Sequence, residues 1–456
     1  MRKWKWLLIT TGVLLLTGWY FLFYTTFSKK NIPANADMVV AIDVKKNVRT
    51  LLYYYITNPS QWSLKSIFKR HQDSLPQWKD AVNIPDFIFI FHVKEQPLSA
   101  LYCRLTLKNE EAFKKLLTVF NFKGALKENG QTAYYSNQLQ VGIIKKDDQL
   151  LFGNIAVKDT LLIDAVAHGL FDKNDFIADS LLANILAPAN HFTVWFNKNN
   201  FLKDVFILNG NFTNGQLHTA GLLQPSKQLE LNQASFGIPD SSLLNIGFTQ
   251  PLPEVYNLLP ATLKTNISTA INFNIDSLFI QQNKKYLLDI TGIISKTDSA
   301  LSYSYDDDFN KIEKVVVNKV QEPVFACTVF SEASGQVFNY FKRNKNVELG
   351  NAGYLFTPVP FAKTYATVLK DTLVLSTADY NRANHNHAVT CIANLNICTS
   401  MLPLNAGNYL PDIYLPFIKN ISSLNVTASK EKEFIKIDIA VTAADNTKPF
   451  LLNFGW

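Results

Sequence analysis

The chain has 456 residues, 47% of them hydrophobic and 33 of them Phe, but only four cysteines. That length suggests two or three domains, and so few thiols exclude a disulfide-scaffolded fold, leaving packing to provide stability. The formal charge of +7 includes five cations and no acid in residues 1–30; the remainder carries 39 Lys+Arg (44 − 5) against 37 Asp+Glu, or +2, which argues against a nucleic-acid partner.

The first element in chain order is Trp6 to Phe27, 22 residues without a charge, flanked by Arg2, Lys3 and Lys5 and by Lys29 and Lys30. As a helix this run would reach about 33 Å against a hydrocarbon core of roughly 30 Å. Trp4, Trp6, Trp19, Tyr20 and Tyr24 sit toward its ends, where amphipathic rings prefer the interface. It exceeds a secretory h-region, and Trp19 stands where a lipoprotein signal needs Cys. Ala34-Asn35-Ala36 lies too far beyond the run for a cleavage site. The sequence therefore predicts an uncleaved signal anchor, with the membrane as a partner through residues 6–27. Both flanks are basic, and three cations before the run against two after it favour a cytoplasmic N-terminal tip. A single pass in the cytoplasmic (inner) membrane follows, with the bulk of the chain periplasmic or otherwise extracytoplasmic.

Beyond the run, four markers recur in the same order. Ile32-Pro33, the strand pattern Met38 to Val44 and a helical stretch through Tyr53 correspond to Ile238-Pro239, Leu243 to Phe248 and a helical pattern through Val255, Leu258 and Leu259. Leu101 to Leu105, followed by a helix from Asn109 through Leu117, corresponds to Phe325 to Val329 and a helix over Val337 to Phe341. Asn109 suits a cap, and Phe113, Leu116, Leu117 and Phe120 share a helical face. A hairpin of Val141 to Ile144 and Leu150 to Phe152 corresponds to Ala366 to Leu369 and Leu373 to Leu375. Each half ends on an alternating strand, Gln216 to Leu223 or Phe434 to Val441, and then an aromatic-glycine pair, Phe236-Gly237 or Phe454-Gly455. The expected fold class is α+β: an N-terminal transmembrane helix, then two similar modules of mainly antiparallel sheet covered by helices. The predicted domains are 1–30 (cytoplasmic tip and anchor), 31–237 and 238–456.

The opening Ile32-Pro33-Ala34-Asn35-Ala36-Asp37-Met38-Val39-Val40-Ala41-Ile42-Asp43, with a later hairpin around Lys370-Asp371-Thr372-Leu373, resembles uncharacterised exported, membrane-anchored domain families of Bacteroidota type. The resemblance implies a cell-envelope location and supplies no catalytic residues. The chain departs from lipoprotein members in lacking an acylated cysteine.

Four patterns carry candidate chemistry. Ser66-Ile67-Phe68-Lys69 matches the S-x-x-K of penicillin-recognising enzymes, but it recurs at Ser429 to Lys432 and has no Ser-Asp-Asn or Lys-Thr-Gly companion, so a solvated helix face is expected. His385 and His387, followed by Cys391 and Cys398, offer zinc-ligand types at an unusual spacing; free thiols, a Cys391–Cys398 disulfide and a metal site all remain open. Asp306-Asp307-Asp308 lacks the glycine and distal glutamate of a calcium loop and is expected to be a hairpin turn. His71, His92, His168, His191 and His218 show no nucleophile at a diagnostic offset. No catalytic, cofactor-binding or metal residue is therefore predicted, and no cofactor. The expected function is a membrane-anchored envelope protein whose exported region binds or scaffolds an unidentified envelope protein, glycan or lipid. The alternatives are an envelope hydrolase with a site between the modules, or a binder of lipid or another apolar ligand lined by the aromatic residues.

Overall fold

The computed structural model describes residues 22–58, 78–126, 130–225, 232–249, 283–401 and 419–454, less short internal gaps, with isolated positions in 11–20 and 264–269. The chain divides into two compact units, Met1–Ser226 with Thr447–Pro449, and Lys227–Asn446 with Phe450–Trp456. Both are mainly antiparallel sheet.

The membrane-spanning helix expected over Trp6 to Phe27 is corrected. Among the described residues no helix is long and apolar enough to cross a membrane. Residues 6–10, 12, 14–16 and 21 of that run lie outside the described residues; helical structure ends at Phe23 and the chain then runs without regular structure to Ser28. Polar contacts fix this part. Arg49 Nη1 donates to the Leu22 carbonyl at 2.5 Å, Lys45 Nζ donates to that of Tyr24, and the Thr26 amide donates to Asp86 Oδ2 at 2.6 Å. A helix running to Phe27 inside hydrocarbon could not place its backbone against three charged side chains. Apolarity alone suggests a span; the tethering of residues 22–26 comes from partners 21 to 60 positions later, which no local pattern shows. The transmembrane and signal-anchor assignments, and the single-pass inner-membrane location that rested on them, fall with the helix.

In unit 1 the strands are β1 (Ala36–Asp43), β2 (Val82–Asn83), β3 (Phe87–Val93), β4 (Tyr102–Leu107), β5 (Lys123–Leu126), β6 (Thr132–Ser136), β7 (Val141–Lys146), β8 (Gln149–Gly153), β9 (Phe192–Phe196), β10 (Phe206–Thr213) and β11 (Gln216–Leu223). The described helices of eight residues or more are α1 (Val44–Thr57), α2 (Glu110–Val119), α3 (Thr160–Ala167) and α4 (Asp179–Leu186). Asp43 caps α1 by accepting from the Lys46 amide, and Asn109 caps α2 by accepting from Ala112. Antiparallel pairing gives the spatial order β5-β6-β7-β8-β4-β3-β1-β9-β10-β11, with β2 also against β4.

Unit 2 contains β12 (Ala234–Pro239), β13 (Leu244–Thr249), β14 (Asn283–Tyr305), β15 (Lys311–Ser331), α5 (Ser334–Arg343), β16 (Val347–Gly350), β17 (Gly353–Phe356), β18 (Thr364–Leu369), β19 (Thr372–Thr377), β20 (His385–Cys391), β21 (Ala393–Cys398), β22 (Ile421–Glu431) and β23 (Phe434–Ala443). Its order is β16-β17-β18-β19-β15-β14-β13-β21-β22-β23. This is the order of unit 1, strand for strand.

The correspondence extends to register. In unit 1 one row crosses the sheet through Tyr134, Ile143, Phe152, Cys103, Ile90, Val40, Val194 and Leu208. In unit 2 the row is Tyr354, Ala366, Leu375, Cys327, Leu288, Ile246, Leu395 and Val426. Cys103 and Cys327 thus hold the same position. The covering helices agree as well: Phe113 of α2 meets Tyr134 edge-on at 5.9 Å, and Phe338 of α5 meets Tyr354 edge-on at 5.0 Å. Phe236 does not match Phe454, for Phe236 lies on β12 whereas Phe454 ends a 3₁₀ turn, Phe450–Phe454.

Candidate functional site

Unit 2 departs from unit 1 at two adjoining places. In unit 1, β3 and β4 are joined by residues 94–101. In unit 2 the corresponding strands β14 and β15 continue past the sheet as a hairpin. β13 supports β14 only as far as Ile290, and β19 supports β15 only from Ala326. From Gly292 to Tyr305 and from Lys311 to Val324, 14 residues each, the two strands pair solely with one another among the described residues. We call this segment the arm.

Alternation along the arm sorts its side chains. Thr297 and Lys319, Ser299 and Val317, Leu301 and Val315, and Tyr303 and Glu313 are successive cross-strand pairs on one face. Leu301, Val315 and Val317 are 63%, 60% and 61% exposed, so this face is apolar at its centre and open to solvent. Lys311 Nζ lies over the Tyr303 ring at 3.4 Å toward the tip.

The opposite face is engaged at its root. Lys296 pairs with Glu322 at 2.9 Å and Asp379 at 2.7 Å, and these carboxylates, Asp379 foremost, hold the ammonium pKa above its ordinary value. A cleft of about 640 Å³ opens beside it, walled by Lys296, Glu322, Phe356, Val359, Lys363 and Thr364 among others. The Thr364 hydroxyl donates to the Ala362 carbonyl at 3.0 Å, and among the described residues the lining contains neither His nor Cys. Such a cleft offers apolar wall, paired charge and hydrogen-bonding groups, which suits recognition of a surface.

Immediately before the arm, Asp289 of β14 is 1% exposed. Ser242 Oγ donates to its Oδ1, Asn245 Nδ2 reaches the same oxygen at 3.5 Å, and the Tyr380 hydroxyl donates to Oδ2 at 3.0 Å. Asn394 Nδ2 donates to Asn245 Oδ1 at 2.9 Å, while its own Oδ1 is buried without a partner. A Cβ on Gly247 would collide with that oxygen and with Phe236. Asp379 and Tyr380, adjacent in sequence, therefore tie the arm's root and the buried carboxylate to one short segment.

The sequence-derived candidates do not converge. Ser66 to Lys69 and Asp306 to Asp308 lie outside the described residues. Ser429 is on β22 and Lys432 occupies a turn with φ 58°, so the second S-x-x-K is not helical. His385, His387 and Cys391 are on β20, a strand paired with β12. All four cysteines are free, and Cys398 Sγ lies 3.1 Å from Ser400 Oγ. No group of three metal-ligating side chains occurs among the described residues.

One histidine does find a hydroxyl that its sequence neighbours do not reveal. In unit 1, His191 Nε2 is 2.7 Å from Thr50 Oγ1 of α1. Nδ1 lies 3.2 Å from Asn211 Oδ1, an oxygen that also accepts from Lys46 Nζ, and 3.3 Å from the Phe212 amide nitrogen, while the Thr50 hydroxyl also reaches the Lys46 carbonyl at 3.1 Å. Burial pulls the His191 pKa below its ordinary value, against the hydrogen bond to Asn211 Oδ1; Lys46 adds to the lowering.

No family model and no curated protein matches the chain. Solved structures of TP0453 are similar at low level: crystal form IV shows 11% identity and a TM-score of 0.26, covering 44% of this chain and 81% of TP0453. Form III shows 10% and 0.27, with 54% and 88% covered, and form I shows 10% and 0.26, with 63% and 91% covered. Scores at that level carry no conclusion about fold or function.

Proposed function

We propose that this chain is a non-catalytic binding or scaffolding protein whose recognition element is the arm of unit 2 with the cleft at its root. The observation that carries this is the exposed apolar face spanning Leu301, Val315 and Val317 on a ribbon only two strands wide. A two-stranded hairpin with no packed face is marginal in water. Exposed apolar area of this kind marks a contact surface. The repeated sheet serves as a rigid base, and the Lys296 pairs with Glu322 and Asp379 fix the direction in which the arm leaves it.

The test is a photo-crosslinking residue placed at Leu301 or Val317 of the full chain, with exposed Lys114 of α2 as control. Adducts from the arm positions and not from position 114 are expected. Absence of any adduct from either arm position would overturn the proposal.

A further inference from the structure

We infer that the apolar face of the arm is covered by the same face of a second copy of this chain, lying antiparallel across a two-fold axis. The inference rests on the arm being a docking surface and adds the identity of what docks.

The face is laid out symmetrically about its middle. Its centre is the pair of levels Ser299 with Val317 and Leu301 with Val315. One level toward the root is Thr297 with Lys319; one level toward the tip is Tyr303 with Glu313. Lys319 and Glu313 thus stand on the same strand at equal distances on either side of the apolar centre. Both are exposed.

Consider a two-fold axis lying between two such faces and perpendicular to the strands. It sets β15 over β15 of the second copy with direction reversed. Val315 then covers Val317, and Glu313 of each copy faces Lys319 of the other. Leu301 covers Ser299, and Tyr303 covers Thr297. Two opposite-charge pairs therefore bracket an apolar centre. The parallel alternative sets Tyr303 over Glu313 and Thr297 over Lys319, with no charge pairing at all. An isologous contact of this kind is self-complementary and closes on itself, with the two faces about 10 Å apart as in other packed sheets.

Size sets the strength. Fourteen residues at about 3.3 Å and a width of about 10 Å give roughly 460 Å² per copy, or about 900 Å² in all. That is the range of weak, reversible association. The complementary charges act more on orientation and specificity than on raw affinity.

Sedimentation equilibrium on the full chain, with Lys319→Glu, Glu313→Lys and the double exchange, tests this. All variants share the apolar run Trp6 to Phe27, so association through that run is a constant background. The wild-type chain should dimerise with concentration, less so in about 0.5 M salt, where screening shortens to a few ångström. Each single exchange turns two attractive pairs into two like-charge pairs and should weaken the dimer roughly tenfold; the double exchange should return it to within about threefold of wild type. Val317→Asp should leave only that background, with an unchanged circular dichroism spectrum. A chain that stays monomeric at every concentration, or a double exchange no tighter than the singles, overturns the inference. Should the chain be monomeric while the crosslinker at Val317 joins it to a different molecule, self-association fails and the docking role stands. Absence of any adduct removes both.

Discussion

The two units share a row of paired residues across the sheet and differ in what lies over its middle strands. In unit 1 the covered positions of β1, β3 and β9 are Val39, Phe91 and Trp195, all fully buried under α3, the helical segment His168–Lys173 and α4, with Ile163, Leu170, Leu182 and Ile185 opposite. At the same register positions unit 2 has Asn245, Asp289 and Asn396. Thr193 is replaced by Asn394 and Ala41 by Gly247, and the cover includes Phe236 of the two-stranded sheet β12–β20. A one-residue slip would turn every side chain to the other face, yet the register holds although this face has exchanged an apolar core for a polar one. The other face accounts for that. There α2 and α5 seat Phe113 and Phe338 on equivalent tyrosines, and apolar clusters containing Leu150 and Leu373 lie beneath them. Pairing is therefore governed by the helix-covered face, leaving the opposite face and the β14–β15 connection free to diverge.

The largest effects are expected where that governing face is cut. Phe113→Ala removes a side chain with no exposed surface and should cost about 3 to 5 kcal/mol. Phe338→Ala, at 8% exposure, should cost less, about 2 to 4 kcal/mol. Denaturant unfolding of the full chain measures both. A negligible cost for either would show that the two faces do not play matching parts.

Asp289→Ala tests the diverged face. It leaves the Ser242 and Tyr380 hydroxyls without their acceptor and should cost about 1 to 3 kcal/mol. Tyr380→Phe removes one donor and should cost about 1 kcal/mol. If Asp289→Ala were neutral or stabilising, the polar network would contribute nothing to holding the root of the arm.

Much of the governing face was legible in sequence, because its signals are local. The helix expected from Asn109 through Leu117 forms over Glu110–Val119, and the hairpins at 141–152 and 366–375 form as β7–β8 and β18–β19. The polar face was not legible: Ser242, Asn245, Asp289, Tyr380 and Asn394 are scattered over some 150 positions, and only the sheet brings them together. The arm was half visible. Strands flanking Asp306 to Asp308 were expected, yet alternation gives no measure of where supporting neighbours stop. Its exposed face mixes Val and Leu with Ser and Thr, and that composition also fits a buried strand. The apolar run at the N-terminus misled for the opposite reason, being strong locally and contradicted by distant partners.

A pH effect separates the units further. The His191 pKa is depressed in the folded chain, so the unfolded state binds a proton first as acid is added, and protonation favours unfolding. The stabilising contribution of the neutral ring is present above the unfolded value of about 6.5 and is lost as pH falls below it. His191→Gln should flatten the stability profile between about pH 6.5 and pH 5. Unfolding midpoints that decline equally in wild type and variant over that range would remove His191 as the cause.

The smallest effect is expected at the cysteines, and it bears most directly on whether the two units are built alike. Cys103 faces Phe152 across the β4–β8 pair, and Cys327 faces Leu375 across the β15–β19 pair. Burial pushes the thiols up to about 12 and about 11 respectively, so near pH 8 almost no thiolate is present at either. Reaction with a maleimide requires the thiolate, so both should label slowly in the folded chain. Half-exposed Cys398, beside Ser400, should label first. Cys103→Ala and Cys327→Ala each delete one sulfur from the same register position and should cost under about 1 kcal/mol, by similar amounts. Mass spectrometry of labelled peptides over time gives the order, and denaturant unfolding gives the costs. Rapid labelling of one cysteine with protection of the other would mean that equal register does not bring equal packing, confining the likeness of the units to their backbone.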